Sequence, residues 1–145
     1  MDIKKSLIVL AITFIVVALG ALSWAGSGNV KLPLMATKAH PGASGTAYLR
    51  DGTLNIQAKG LQPNKVYTVW FVNMKPKKHE AGAGTPPYMF RTDFQGVGAY
   101  SSSITESPFG KWQMLMIVLH PNGDPTDMKS MVGALSAKIP KNEEI

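Results

Sequence analysis

Short runs of β-branched and aromatic residues recur along this chain of 145 residues, and each run ends in a cluster of turn residues. The clearest pair covers residues 46–50 and 53–59, which are joined by Asp51-Gly52. Asp-Gly between two such runs is among the strongest local signals for a β-hairpin. In the second run apolar and polar residues alternate, as they do in a strand with one buried face. The pattern predicts antiparallel β structure.

Five further runs have the same character, and no stretch after residue 25 has the 3.6-residue periodicity of a helix. These runs cover residues 65–72, 88–92, 97–104, 112–120 and 131–139. About seven strands at this spacing predict an all-β, antiparallel, immunoglobulin-like β-sandwich over residues 45–140. The remaining parts are predicted to be a linker with a candidate edge strand (26–44), a loop without regular structure (74–87) and a frayed tail (141–145).

The first 25 residues are typical of an export signal. Lys4 and Lys5 precede an uncharged apolar run at 7–22, and small residues at 21, 23 and 25 satisfy the small-x-small rule for signal peptidase. The run is shorter than the roughly 20 residues that span a bilayer as a helix. Cleavage is therefore favoured over retention as an N-terminal membrane anchor helix. Either outcome predicts an extracytoplasmic domain that is periplasmic, secreted or tethered to the membrane.

Charge and cysteine content narrow the possible partners. The chain has no cysteine, which excludes disulfides, thiolate metal sites, blue-copper centres and cysteine nucleophiles. Its formal net charge of +6 favours anionic surfaces such as phospholipid headgroups. The basic loop with Lys75, Lys77 and Lys78 is the candidate contact with an anionic membrane surface, or else an ordinary solvated loop. Nucleic acid is not expected as the partner of an exported protein.

Three motifs in the chain point to a known domain. They are Gly60-Leu61-Gln62-Pro63 before Tyr67-Thr68-Val69-Trp70-Phe71, Phe90 with the turn Asp93–Gly96, and the loop Pro121-Asn122-Gly123-Asp124-Pro125-Thr126. Through them residues 45–139 resemble the extracytoplasmic C-terminal domain of the anti-sigma-K factor family.

The resemblance implies an immunoglobulin-like sandwich outside the cytoplasm. His120 and Asp124 stand where that family's loop usually carries an acidic residue and paired glycines. The family's regulatory work is done by a cytoplasmic sigma-binding region ahead of its membrane helix. Only a few residues precede the apolar run here, so we do not expect transcriptional regulation.

Two of the predicted strands are apolar on both faces, although a two-layer sandwich needs only one apolar face per strand. These strands are residues 65–72 and 112–120. The second face must be covered by the 74–88 loop, by the 26–44 segment or by another protein. Our leading hypothesis is a non-enzymatic binding or interaction module of the cell envelope that engages a protein partner, or itself as a homo-oligomer. The proposed contact face comprises Trp70, Trp112, Met114, Met116 and Val118.

The alternative hypothesis is a periplasmic copper-binding protein. Met114 and Met116 are two residues apart on a strand, so their thioethers share a face about 7 Å apart. His120 faces the same way but lies about 13 Å beyond Met116 along an extended strand. Met128 and Met131 in the following loop would have to fold back to complete the set. The other interpretation of these methionines is that they fill gaps in the core.

No catalytic constellation is recognisable. The chain lacks the G-x-S-x-G motif, the P-loop, the dinucleotide fingerprint and any paired-carboxylate signal. Asn122, Asp124 and Asp127 offer closely spaced oxygen ligands, but the EF-hand register and its terminal glutamate are missing. The prolines and Asn-Gly of the same loop are accounted for by turn chemistry. We therefore expect no enzymatic activity.

Overall fold

A computed structural model describes residues 30–141, and its regular structure consists of nine β-strands. The strands are β1 (Val30–Ala36), β2 (Ser44–Arg50), β3 (Thr53–Lys59), β4 (Val66–Asn73), β5 (His79–Gly82), β6 (Met89–Arg91), β7 (Gly98–Ser103), β8 (Met114–His120) and β9 (Val132–Lys138). Residues 30–141 contain no helix that is long and apolar enough to cross a membrane. The export signal or anchor helix expected over residues 1–25 lies outside the described part.

The strands form one curled antiparallel sheet in the order β5-β4-β8-β9-β1-β2-β3-β7, and β6 also pairs with β4. Strand β1 links the two halves, because residues 30–34 pair with β2 whereas residues 35–36 pair with β9. The curl brings β6 beside β7, where the ring centroids of Phe90 and Tyr100 are 6.3 Å apart. The predicted all-β, antiparallel class is confirmed.

Two strands lie in segments without a clear strand pattern, so residues 30–141 contain nine strands instead of the predicted seven. Strand β1 lies in the expected linker, and it is flanked by partners on both sides instead of forming an edge. Its alternate residues Val30, Leu32 and Leu34 are buried, a pattern that the surrounding Gly and Pro residues concealed. Strand β5 lies in the expected 74–87 loop and pairs with β4 through its main chain, which requires no apolar pattern.

The core is a single cluster that receives side chains from both halves of the sheet. Its fully buried large members include Leu49, Leu54, Ile56, Val69, Leu115, Ile117 and Leu135. Burial of one such aliphatic side chain contributes about 1.5–3 kcal/mol. A β-bulge in β9 leaves Ala134 as an extra residue, because Ile117 opposes Leu135 while Val118 opposes Gly133. Both Ala134 and Leu135 are buried there.

Because neighbouring strands are antiparallel, the connecting loops lie at two opposite ends of the sheet. We call the end at which β1 begins the upper end and the opposite one the lower end. The upper end holds the start of β1, the 50–53 hairpin, residues 74–78, residues 104–113 and the end of β9. The lower end holds residues 37–43, 60–65, 92–97 and 121–131. The loops at the upper end surround the candidate site.

Candidate binding groove

The outer face of the β4, β8 and β9 part of the sheet carries the predicted methionines. Residues that oppose each other in an antiparallel pair lie on one face. The pairings therefore define one row across the sheet, namely Met35, Ser136, Met116, Trp70 and Gly82. The adjacent row is Lys138, Met114, Val72 and Glu80. Met114 and Met116 thus share the outer face, as predicted.

The Trp70 part of this face is covered by the protein itself. Trp70 is half-buried, its Nε1 donates to Thr68 Oγ1 at 2.7 Å, and its ring centroid is 5.6 Å from that of Tyr88. The opposing residue, Gly82, leaves room for Tyr88, because a Cβ there would lie 2.2 Å from the tyrosine ring. The loop that follows β5, which is part of the 74–88 segment, therefore covers part of the second apolar face of β4, as one of the predicted alternatives.

Trp112 does not join Trp70 on the outer face. It precedes the first residue of β8, its backbone N–H donates to the Pro108 carbonyl at 2.9 Å, and its ring stacks on Phe71 with centroids 6.1 Å apart. Phe71 belongs to the core cluster, and Trp112 packs against that cluster. Trp70 and Trp112 therefore do not share one face as predicted, because strand alternation does not extend back through the turn at residues 108–112. Val118 is also buried.

An open groove of about 1010 Å³ lies at the upper end. Its lining is Pro33, Met35, Asn73, Met74, Lys75, Gly110, Lys111, Trp112, Gln113, Met114, Ser136, Ala137, Lys138, Ile139 and Lys141. Apolar side chains supply most of the groove's surface, and lysines surround it. Met35 is 65% exposed and Met74 is 52% exposed. These are unusually exposed positions for large apolar side chains, and we call this site the methionine groove.

One side chain organises the wall of the methionine groove. Gln113 Oε1 accepts from the backbone N–H groups of Met74 at 2.7 Å and Lys75 at 3.2 Å, and Gln113 Nε2 donates to the Lys75 carbonyl at 2.9 Å. In return, Asn73 Oδ1 accepts from the Gln113 N–H at 2.8 Å, and Asn73 Nδ2 donates to the Lys111 carbonyl at 2.9 Å. These bonds fix Met74 and Lys75 beside Trp112.

Positive charge is concentrated at the same end. The lysines and arginines of the upper end are Lys31, Arg50, Lys75, Lys77, Lys78, Lys111, Lys138 and Lys141. Its carboxylates are Asp51, Glu80 and Glu106. Two of these form ion pairs, Lys78 with Glu80 at 3.7 Å and Lys111 with Glu106. The lower end is more balanced, with five lysines and arginines against three aspartates.

The five predicted copper ligands do not come together. Met114 and Met116 are neighbours on the outer face, whereas Met128 and Met131 lie in the 121–131 loop at the lower end. His120 is 1% exposed, and its Nε2 is 2.7 Å from Thr68 Oγ1. Within residues 30–141, no group of three or more His, Asp or Glu residues is placed to hold a metal ion.

Two further methionines, which the sequence did not single out, share the groove with Met114. Met35 and Met74 line the same groove, although they are far apart in the chain. Their proximity depends on the pairing of β1 with β9 and of β4 with β8. No local sequence signal reports those pairings.

The carboxylates of the loop after β8 accept hydrogen bonds from residues of the same loop. Asp124 Oδ1 accepts from the Thr126 hydroxyl at 2.7 Å and the Thr126 backbone N–H at 2.9 Å. These bonds hold the pKa of Asp124 below its usual value. Asn122 Nδ2 donates to Asp127 Oδ2 at 2.5 Å. This arrangement is that of a self-contained turn and supports the turn interpretation over a calcium site.

Comparisons of the chain with protein-family models, with curated proteins and with solved structures each gave no match. The resemblance to the anti-sigma-K domain therefore stays a prediction from the residues quoted above.

Proposed function

We propose that the chain is an exported, non-enzymatic β-sandwich module of the cell envelope whose binding surface is the methionine groove. The observation that carries the proposal is the contrast within one face of the sheet. The Trp70 part is covered by Tyr88, whereas Met35 and Met74 are left more than half exposed. Large exposed apolar side chains that share a cleft are typical of interaction sites.

The sandwich interpretation is supported by the core and by β1. Side chains from the β2 and β3 half and from the β4 and β8 half meet in one buried cluster. Strand β1 leaves β2 and continues beside β9, so the same strand serves both halves of the curl. Two facing layers around one core are the arrangement of an immunoglobulin-like domain. The sequence of residues 1–25 supports export.

Methionine suits such a surface because its thioether is flexible and polarizable, and it adapts to different apolar partners. The Asn73 and Gln113 hydrogen bonds hold the main chain of the groove wall. The wall is therefore fixed while the side chains on it can adjust. Proline and methionine from β1 complete the opposite side.

Methionine oxidation footprinting tests the proposal without any mutation. Met35, Met74 and Met128 are 65%, 52% and 45% exposed, so a mild oxidant should convert all three to sulfoxide at similar rates in the isolated chain. In intact cell envelopes we expect Met35 and Met74 to react at least fivefold more slowly, and Met128, at the other end, to be unchanged. Equal rates for the three methionines in the envelope would contradict the proposal.

Copper binding is a second candidate function, favoured by the presence of Met35, Met74 and Met114 in one groove. Thioethers are ligands that select Cu(I). A native mass spectrum of the chain with Cu(I) should show one bound ion, and the adduct should disappear in Met35→Leu/Met74→Leu/Met114→Leu. The matched control is Met128→Leu/Met131→Leu, which should keep the ion. Loss of the adduct in both variants, or no adduct at all, would exclude a groove site.

A further inference from the structure

The methionine groove combines an apolar floor with a rim of unpaired positive charge. Lys75, Lys138 and Lys141 are exposed and line it, and none of the three has an ion pair within residues 30–141. Lysine is a compact point charge with three donors, which suits phosphate oxygens. Apolar surface next to free ammonium groups is complementary to an anionic amphiphile.

The segment that precedes β1 is also attached to the domain at the upper end. Val30 is the first residue of β1 and lies at the upper end, so residues 1–29 join the domain beside the groove. The apolar run at 7–22 is followed by only seven residues before Val30. Seven residues span at most about 25 Å. A bilayer that holds this run would therefore lie within reach of the lysines.

We infer that the methionine groove docks on anionic phospholipid headgroups, so that the upper end of the domain lies against a membrane surface. The inference rests on the proposed function, since it names the partner of the same groove. The lysines contact the lipid phosphates, and Met35 and Met74 enter the apolar part of the interface. Lysines near an anionic leaflet favour this orientation.

Self-association through the groove is opposed by the charge distribution. The upper end carries eight lysines and arginines against three carboxylates, and the two glutamates that follow in the tail do not reverse the sign. Two copies that met at their grooves would bring these like charges together, which disfavours association. An anionic leaflet has the opposite charge, so the same lysines attract it.

The test uses the uncleaved full chain in nanodiscs, so that the same domain is compared on bilayers of two compositions. Discs of phosphatidylcholine alone are compared with discs that contain phosphatidylglycerol, and sulfoxide formation is followed at Met35, Met74 and Met128. We expect Met35 and Met74 to react at least fivefold more slowly in the anionic discs. Molar salt should remove the difference, and Met128 should react equally in both discs.

Two matched variants locate the effect. Lys75→Gln/Lys138→Gln/Lys141→Gln should abolish the lipid dependence. The control is Lys38→Gln/Lys59→Gln/Lys129→Gln, which removes three exposed lysines from the lower end and should retain it.

Equal rates in the two kinds of disc, or equal loss in both variants, would overturn the inference. Protection in cell envelopes without protection in anionic discs would overturn it in favour of a protein partner and leave the proposed function standing. Rapid oxidation of Met35 and Met74 in both settings would refute both proposals.

Discussion

The side chain of Gln113 is bonded to the main chain of Lys75 on both sides, accepting from its N–H at 3.2 Å and donating to its carbonyl at 2.9 Å. Gln113 precedes β8 and Lys75 follows β4, so the amide joins the end of one strand to the start of its neighbour. Only a side chain that has both a donor and an acceptor can make this contact. The glutamine thus serves as a structural support for the methionine groove.

Replacement of Gln113 should loosen the groove without unfolding the domain. Gln113→Ala removes three solvent-exposed hydrogen bonds, and we expect the free energy of unfolding to fall by about 1–2 kcal/mol. Hydrogen exchange at residues 73–76 should accelerate while exchange in β3 stays unchanged. Gln62→Ala is the control, because the side chain of Gln62 is exposed and far from the groove. Unchanged exchange at 73–76 would show that the amide does not hold this segment.

Gly82 and Gly133 should respond in opposite ways to the same substitution. A Cβ at Gly82 would overlap the ring of Tyr88 at 2.2 Å, whereas one at Gly133 would meet its nearest atoms at 3.6 Å. We expect Gly82→Ala to cost about 1–3 kcal/mol through overpacking and Gly133→Ala to change stability by less than about 0.5 kcal/mol. Urea unfolding measures both. Similar values for the two variants would mean that Tyr88 does not close over Trp70.

The hydroxyl of Thr68 links two polar groups on the outer face. It accepts from Trp70 Nε1 at 2.7 Å and lies 2.7 Å from His120 Nε2, and His120 Nδ1 is buried without a hydrogen-bond partner within the described residues. Thr68→Val keeps the shape and leaves the imidazole with no partner, which should cost about 1–3 kcal/mol. Thr46→Val, on β2 and half-buried, is the control. A neutral effect of Thr68→Val in chemical denaturation would contradict the role of this hydroxyl.

Stability should depend on pH through His40. The Tyr67 hydroxyl accepts from the Gln62 N–H and lies 3.1 Å from His40 Nε2, and burial lowers the pKa of His40 from 6.5. The unfolded state then binds more protons below pH 6.5, and the free energy of unfolding must fall as the pH drops. The stabilisation that comes from the buried, neutral His40 is complete above pH 6.5 and is lost as the pH falls toward the lowered pKa.

Urea midpoints measured between pH 7 and pH 5 check this dependence. The wild-type midpoint should decrease as the pH falls, and the slope should be smaller in His40→Gln, whatever the absolute stability of that variant. His79→Gln is the control, because His79 is exposed in the short strand β5. A His40→Gln slope equal to that of the wild type would assign the dependence to other groups.

Strand-forming runs and turn residues predict most of the fold. The hairpin at Asp51-Gly52 and the strands β3, β4 and β8 lie within a residue or two of their predicted positions, because alternation and turn chemistry are local properties. Strand β1 was predicted only as a candidate edge strand, and strand β5 lies in a segment that was predicted to be a loop. Their pairing depends on which strands lie next to them in the folded sheet, and the residues of β1 and β5 alone do not indicate those neighbours.

The site was predictable only in part. The sequence showed that Met114 and Met116 share a face, and it showed that the strands are apolar on both sides. It could not place Trp112, because a turn at residues 108–112 rotates that side chain toward Phe71. Nor could it place Met35 and Met74 in one groove with Met114, since that arrangement follows from the order of strands in the sheet.

Strand β1 also determines how the domain would bear mechanical force. Within residues 30–141 it is the strand that pairs with both halves, with β2 through residues 30–34 and with β9 through residues 35–36. A pull on the chain ahead of Val30 acts along the axis of β1, so the hydrogen bonds to β2 are sheared together instead of opening one after another. In a domain tethered through this end, the load would enter through β1, which is hydrogen-bonded to both β2 and β9. Extension of the tether would therefore strain both sets of inter-strand hydrogen bonds before the core opened.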